Sequence, residues 1–159
     1  MDEIAIAERM TTTSKSSVIR IKALGLHWRG PRLLAFEVYD HEGRLKGVRP
    51  LGGSVEFGES AKDAVIREFK EEIDTDVSVL AGPLVVENVF FHEGERRHEI
   101  LFIFDLAFPE GAFEGQERIR FQEDDGTLMI AAWYDPQELD IEGKPELYPK
   151  GLKSHLISR

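Results

Sequence analysis

Cysteine is absent from this 159-residue chain. Disulfides, thiol catalysis and zinc–thiolate sites are therefore excluded. No run of about 18 or more apolar residues occurs, so no helix is expected to span a membrane. The opening residues, MDEIAIAERM, are too acidic and their apolar stretch too short for a signal peptide. A cytoplasmic location is compatible with these absences. Positive charge is in deficit: 20 Lys and Arg stand against 30 Asp and Glu, giving a net charge of −10. That argues against a broad nucleic-acid-binding surface and against nucleic acid as a partner. Neither a G-x-S-x-G nucleophile elbow nor a G-x4-G-K-S/T phosphate loop is present. With 42% of residues hydrophobic, the chain has enough apolar mass for one core. Residues 1–16 read as a flexible polar leader with a short helix at 2–9, and residues 17–159 as a single domain. A chain of this size is also compatible with a homodimer.

Apolar alternation predicts strands over 17–28 and 31–39, with a turn at Asp40-His41-Glu42-Gly43. Extended chain over 45–51 leads into the Gly52-Gly53 turn. A helix should begin at Ser60, which forms a capping pair with Asp63, and its apolar stripe is Val65, Ile66, Phe69 and Ile73. Residues 77–92 read as β, interrupted at Gly82-Pro83. A hairpin turn at Glu93-Gly94-Glu95 leads to a strongly buried strand over 98–108. Residues 109–126 form a long acidic loop, the kind of segment that often carries function, with a short strand near 118–121. A strand over 127–134, a short helix starting at Pro136 and a last helix over 149–157 complete the chain. This order of strands and helices gives an α/β fold, a mixed β-sheet with helices packed on its faces.

The segment from Gly53 to Thr75 reads GSVEFGESAKDAVIREFKEEIDT. At about 100° per residue, with Glu68 at zero, Glu72 falls near about 40° and Glu71 near about −60°. The three carboxylates share one helix face. Like charges at this spacing destabilise a helix by about 0.2–0.5 kcal/mol per pair, and the C-terminal end of the dipole disfavours anions. A solvated Glu-rich face is the plain reading. A cation-binding face is the functional one, and hard oxygen donors of this kind suit Mg²⁺, Mn²⁺ or Ca²⁺.

Gly53, Glu59 and the run Arg67-Glu68-Phe69-Lys70-Glu71-Glu72 stand at the spacing G-x5-E-x7-R-E-U-x-E-E-x-G-U, with U a bulky apolar residue. This resembles the Nudix box of the Nudix hydrolases. The departures are Asp74 at the late Gly, Thr75 at the last apolar position, and Leu51 where many members have Pro. Asp tolerates the left-handed conformation that the late Gly adopts better than most residues do. Flanking strands extend the resemblance to roughly residues 17–157. The resemblance implies an α/β/α sandwich and a divalent-cation-dependent pyrophosphohydrolase acting on a small molecule, a nucleoside diphosphate linked to another group. It implies Mg²⁺ or Mn²⁺ held by Glu68, Glu71, Glu72 and the backbone carbonyl of Gly52, with Arg67 orienting the carboxylates and Glu59 supporting them or acting through water. By the same resemblance Glu68, Arg67 and Glu71 are the catalytic candidates. For the general base, Glu68 is preferred, with a loop acid among Glu114, Glu117, Glu123, Asp124 and Asp125 as the rival. A nucleotide-sensing module that binds without cleaving is the alternative within the fold. The presence of all four box glutamates, Glu59, Glu68, Glu71 and Glu72, favours catalysis. A protein-interaction domain using its acidic surface has only the net charge behind it.

Two basic groups stand out against the acidic background, Arg44 with Lys46 and Arg49, and Arg96 with Arg97. The plain reading of both is surface charge; the functional one is a contact to the substrate, with Arg49 preferred because it lies just before the Gly pair. His98 and Glu99 precede the buried strand and read as a polar pair at its end or as a contact to phosphate or base. Arg49 and Glu99 are thus the substrate-binding candidates. Phe90, Phe91, Trp28 and Trp133 read as core or as a base-stacking surface. His27, His41, His92 and His155 show no ligand spacing.

Overall fold

A computed structural model describes residues 17–158. The leader expected over 1–16 and its short helix lie outside the described residues. The first half contains β1 (Ile19–Leu26), β2 (Trp28–Arg29), β3 (Arg32–Tyr39), β4 (Leu45–Arg49), β5 (Gly52–Ser54) and α1 (Ala61–Ile73). Then come β6 (Ser78–His92), β7 (Glu95–Ala107), β8 (Arg118–Gln122) and β9 (Leu128–Tyr134). A 3-10 turn (Pro136–Glu138), β10 (Glu146–Leu147) and α2 (Leu152–Ile157) follow. The strands divide between two sheets instead of one, and the helix content is low. A four-stranded sheet has the order β5-β1-β7-β6, with β1 parallel to β7 and antiparallel to β5. A six-stranded sheet has the order β10-β4-β3-β9-β8, with β2 also paired to β3. Both are mixed, since β10 runs parallel to β4 and the other pairs of that sheet are antiparallel.

Alternation along the strands serves two cores. Ala23 of β1 and Leu34 of β3 join the core that takes Val65, Phe69 and Ile73 of α1. Leu24 and Leu26, with Leu33 and Ala35, join the core that takes Leu139 and the α2 residues Leu152 and Leu156. Helix therefore packs on both sides of the strands, as an α/β/α arrangement requires. The same sheet face turns charged toward one end: Leu24 and Leu26 give way to Lys22 and Arg20, and on the adjoining β7 Leu101 and Ile103 give way to Glu99 and Arg97. That charged end borders the site described below.

The β6–β7 hairpin runs tighter and longer than its residue pattern suggests. Glu93 and Gly94 both have positive φ, 52° and 77°, the condition for a two-residue turn that matches strand twist. Pairing then continues to His92↔Glu95, so β7 begins at Glu95, before the expected start at 98. Gly82-Pro83 does not end β6; the register slips between Ala81 and Leu84 instead. The last helix starts at Leu152 and not at 149.

α1 begins as expected, with Ser60 Oγ accepting from the Asp63 amide at 3.1 Å. It ends on Asp74, in the left-handed conformation at φ 49° and ψ 47°. The Thr75 amide donates back to the Phe69 carbonyl at 3.3 Å, closing the helix in the manner usually built around glycine. Ala64 takes a place in the buried face, and Ile66 sits at its rim. Glycine adopts positive φ without the steric cost that Asp carries. Asp74→Gly is expected to raise stability by roughly 0.5–1 kcal/mol, because the exposed Lys70 pair it removes contributes little. Asp74→Val is expected to lower stability. Urea unfolding midpoints read both.

Candidate active site

Arg67 is the centre of the helix's polar face, and each of its five guanidinium N–H groups has an acceptor. Nε and Nη2 grip the two oxygens of Glu59 at 2.7 and 2.9 Å. Nη1 donates to Glu68 at 3.0 Å and to Glu71 at 3.1 Å, and Nη2 also reaches the Ser54 carbonyl at 3.0 Å. A planar fork of this kind fixes carboxylates in direction as well as charge. Glu59 also accepts from the Glu56 amide at 3.1 Å. The Arg67 fork, and then that amide, hold the Glu59 carboxyl down at about 2. The same partners keep Arg67 firmly charged, above its ordinary range. One arginine thereby ties the start of the box loop, the β5 backbone and the α1 carboxylates into a single unit.

Glu68 is only 9% exposed. Its carboxyl lies over Gly53, where an added Cβ would come within 2.3 Å of Glu68 Cδ. Gly52, at φ 153°, runs close beside β1, where a Cβ would come within 2.0 Å of the Ala23 carbonyl oxygen. The Gly pair thus lets main chain and carboxylate approach each other. Glu72 hydrogen-bonds Glu68. Burial first, and the Glu68 and Glu123 charges next, push the Glu72 carboxyl up to about 9. Burial likewise raises Glu68, against the pull of Arg67.

These groups line a cleft of about 430 Å³ together with Lys22, Gly52, Gly53 and the tip of the β8–β9 hairpin, Glu123, Asp124 and Asp125. Of the loop acids, Glu123, Asp124 and Asp125 belong to this cleft; Glu114 does not line it, and Glu117 pairs with Arg32 at 3.1 Å. Among the described residues no three Asp, Glu, His or Cys side chains are already gathered around one point that an ion could take. The reason is local. Arg67 draws Glu68 and Glu71 toward itself, and Glu68 leans on Glu72. A buried and a half-buried carboxylate in contact need positive charge between them, a proton or a cation. The donors are all carboxylate or carbonyl oxygens, which suit a small divalent ion. By that chemistry, Glu68, Glu71, Glu72 and the Gly52 carbonyl fit a metal.

Arg49 and Glu99, the two substrate-binding candidates, bind each other at 3.0 Å. Glu99 is 4% exposed and also bonds Lys22 at 3.2 Å. Burial works against its charge, but Arg49 and Lys22 outweigh it and hold Glu99 below the usual carboxylate range. Both candidate basic groups send a member to this region, since Arg49, Lys46 and Arg97 line a single neighbouring cleft. Arg44 instead pairs with Asp40 and Glu42 in the β3–β4 turn. Phe90 and Phe91 line the neighbouring cleft, whereas Trp133 is buried in the core with Arg29 stacked on it at 3.9 Å. His27 is a core-edge residue, stacked on Phe108 at 3.6 Å. Lys22 was not anticipated from the sequence. Its signal is the stripe Arg20, Lys22, Leu24, Leu26, which begins charged and ends apolar on one face of β1.

Comparison with known proteins gives the family and the fold. No curated protein matches the sequence. Among solved structures, a NUDIX hydrolase from Nitrosomonas europaea is 19% identical with a TM-score of 0.55, over 89% of this chain and 87% of that one. A MutT NUDIX hydrolase from Burkholderia pseudomallei is 17% identical with a TM-score of 0.53, over 89% of this chain and 99% of its own. An ADP-ribose pyrophosphatase from Streptococcus suis is 18% identical with a TM-score of 0.50, over 87% of each chain. At these identities the likeness is one of fold. The NUDIX domain model matches residues 29–153, which takes in the box, both Gly residues and the Arg67 cluster. The chain therefore belongs to the NUDIX domain family, the Nudix hydrolases whose box it carries.

Proposed function

We propose that the chain hydrolyses the diphosphate bond of a small-molecule nucleoside diphosphate derivative, with Mg²⁺ or Mn²⁺ held by Glu68, Glu71, Glu72 and the Gly52 carbonyl. The observation that carries this reading is the contact between Glu68 and Glu72, which needs a positive charge, beside an arginine that has fixed the surrounding carboxylates. When bound, the ion supplies charge neutralisation for phosphate oxygens and acidifies a water molecule. The chain's own residues set the geometry. Arg67 holds Glu68 and Glu71 in one orientation, and Glu59 holds Arg67. Glu68, over Gly53, is placed to accept a proton from water. Glu123, Asp124 and Asp125 close the far side of the cleft and include the rival base. A diphosphate could not enter an acidic cleft on its own charge, so metal is required for substrate binding as well as for cleavage. The Streptococcus suis neighbour, named for ADP-ribose, supports a nucleotide-type substrate. The proposed setting is the cytoplasm.

Glu68→Gln is expected to lower kcat by about 10²- to 10⁴-fold with the fold intact, read with Mg²⁺ on a panel of nucleoside diphosphate derivatives. If turnover survives and Glu123→Gln abolishes it, the base is the loop acid. Binding without turnover of any compound by the unmodified chain would support the sensing module instead.

The metal-free protein should also show a pH dependence of defined sign. Glu72 titrates near about 9 in the fold against an ordinary 4.5, so its charged form is disfavoured by folding. The stability associated with its proton is complete below the unfolded value and is lost as pH rises through the folded one. Melting temperature in a chelator should therefore fall between pH 5 and pH 9. Glu72→Gln should flatten that fall, and millimolar Mg²⁺ should reverse it. A melting temperature independent of both pH and metal would contradict the site.

A further inference from the structure

The acidic cleft ends at Lys22, and a second cleft of about 660 Å³ begins there with the opposite charge. The two share Lys22, Glu123 and Asp125 along their walls. Three strands distant in sequence bring cations to the second cleft: Arg20 and Lys22 from β1, Lys46 and Arg49 from β4, and Arg97 from β7. Parallel pairing of β1 with β7 aligns Arg20 with Glu99 and so gathers the cations of these two strands. Some of this charge is already answered. Glu99 bridges Lys22 and Arg49, and Arg97 meets Glu95 at 3.3 Å. Among the described residues, Arg20 and Lys46 form no ion pair with any carboxylate. Arg97 Nε is shut off from water and has no hydrogen-bond partner among them.

The cleft has built walls as well as charge. Gly47 lets the Tyr148 ring lie against β4, since a Cβ there would come within 2.4 Å of that ring. The Tyr148 amide donates to the Val48 carbonyl at 2.9 Å, and its hydroxyl donates to Glu146 at 2.7 Å, which anchors the ring. Lys46 Nζ stands 6.0 Å from the ring centroid, and Phe36 and Phe90 line the same space. Burial, then the neighbouring Arg49 charge, holds the Lys22 amine below its ordinary range. Cations crowd here on a chain whose net charge is −10. Like charges brought together cost stability unless an anion meets them. The scissile diphosphate does not supply that anion, because the acidic cleft and its metal account for it.

We propose that the substrate carries a further phosphate beyond the scissile diphosphate, seated in the second cleft against Arg20, Lys46 and Arg97. This rests on the diphosphatase reading of the acidic cleft. The extra phosphate has two sources, a third phosphate in the chain or a phosphate on the ribose. Either distinguishes the substrate from a nucleoside diphosphate joined to a neutral sugar.

The test has a binding arm and a turnover arm, each with the wild type and with exposed-residue variants Arg20→Gln and Lys46→Gln. In a chelator the acidic cleft repels anions, so calorimetric binding of a nucleoside triphosphate or of a 3′-phosphorylated nucleoside diphosphate reports the second cleft alone. Each variant is expected to weaken this binding by about tenfold, and the affinity should fall steeply with salt. With Mg²⁺, the KM for one of the two phosphate-bearing compounds should lie at least about tenfold below that for a nucleoside diphosphate sugar. The variants should narrow that ratio. Preference for the triphosphate puts the extra phosphate in the chain, and preference for the 3′-phosphorylated compound puts it on the ribose. Equal KM for all three compounds, with variants that bind and turn over like the wild type, overturns the proposal while leaving the diphosphatase reading intact. Metal-free binding that the variants abolish, with no turnover of any compound, upholds the anion site and removes the diphosphatase reading.

Discussion

Arg67 joins parts of the chain that would otherwise repel one another. It sits on a helix face with Glu68, Glu71 and Glu72, and its fork also holds Glu59 and the β5 backbone at Ser54. Remove it and Glu68, 9% exposed, would face Glu71 and Glu72 with no fixed cation beside it. Truncating one partner of a buried charge network commonly costs about 3–5 kcal/mol, because the remaining charges stay desolvated. The fold accepts this arrangement since the opposite face of α1 is secured by Val65, Phe69 and Ile73 in a shared core.

The consequence is a division of charge between two adjoining clefts. Acidic side chains from α1 and the β8–β9 hairpin line one; cations from β1, β4 and β7 line the other. Lys22 stands at the junction, tied to Arg49 through Glu99. Under the proposed function, the first cleft would take a metal-bound diphosphate and the second an anionic substituent. Such an arrangement orients an elongated, multiply charged substrate before any group-specific contact is made.

What the sequence made legible was local. The box, the Ser60 cap, the left-handed Asp74 exit and the shared face of Glu68, Glu71 and Glu72 all follow from residues within one turn or one loop of each other. Helix periodicity places them without knowledge of the rest of the fold. The α/β class followed from element order. The division into two sheets did not, because strand alternation records which residues are buried and not which strands pair. The second cleft was hidden for the same reason. Arg20 and Arg97 lie far apart in sequence, and only the parallel β1–β7 register brings them together. Arg49 and Glu99 were singled out separately, but their mutual pairing is a product of tertiary structure. The long acidic loop divided in a way composition could not foretell: Glu123 to Asp125 reach the cleft because β8 and β9 form a hairpin beside α1, while Glu117 turns to Arg32.

The central physical claim is that Glu68 and Glu72 share positive charge that a divalent ion replaces. Calorimetric titration of Mg²⁺ at pH 7, repeated in buffers of different ionisation enthalpy, counts the protons released on binding. About one proton per ion is expected from the wild type, and none from Glu72→Gln. Tight Mg²⁺ binding with no proton release, or no binding at millimolar Mg²⁺, would contradict the claim.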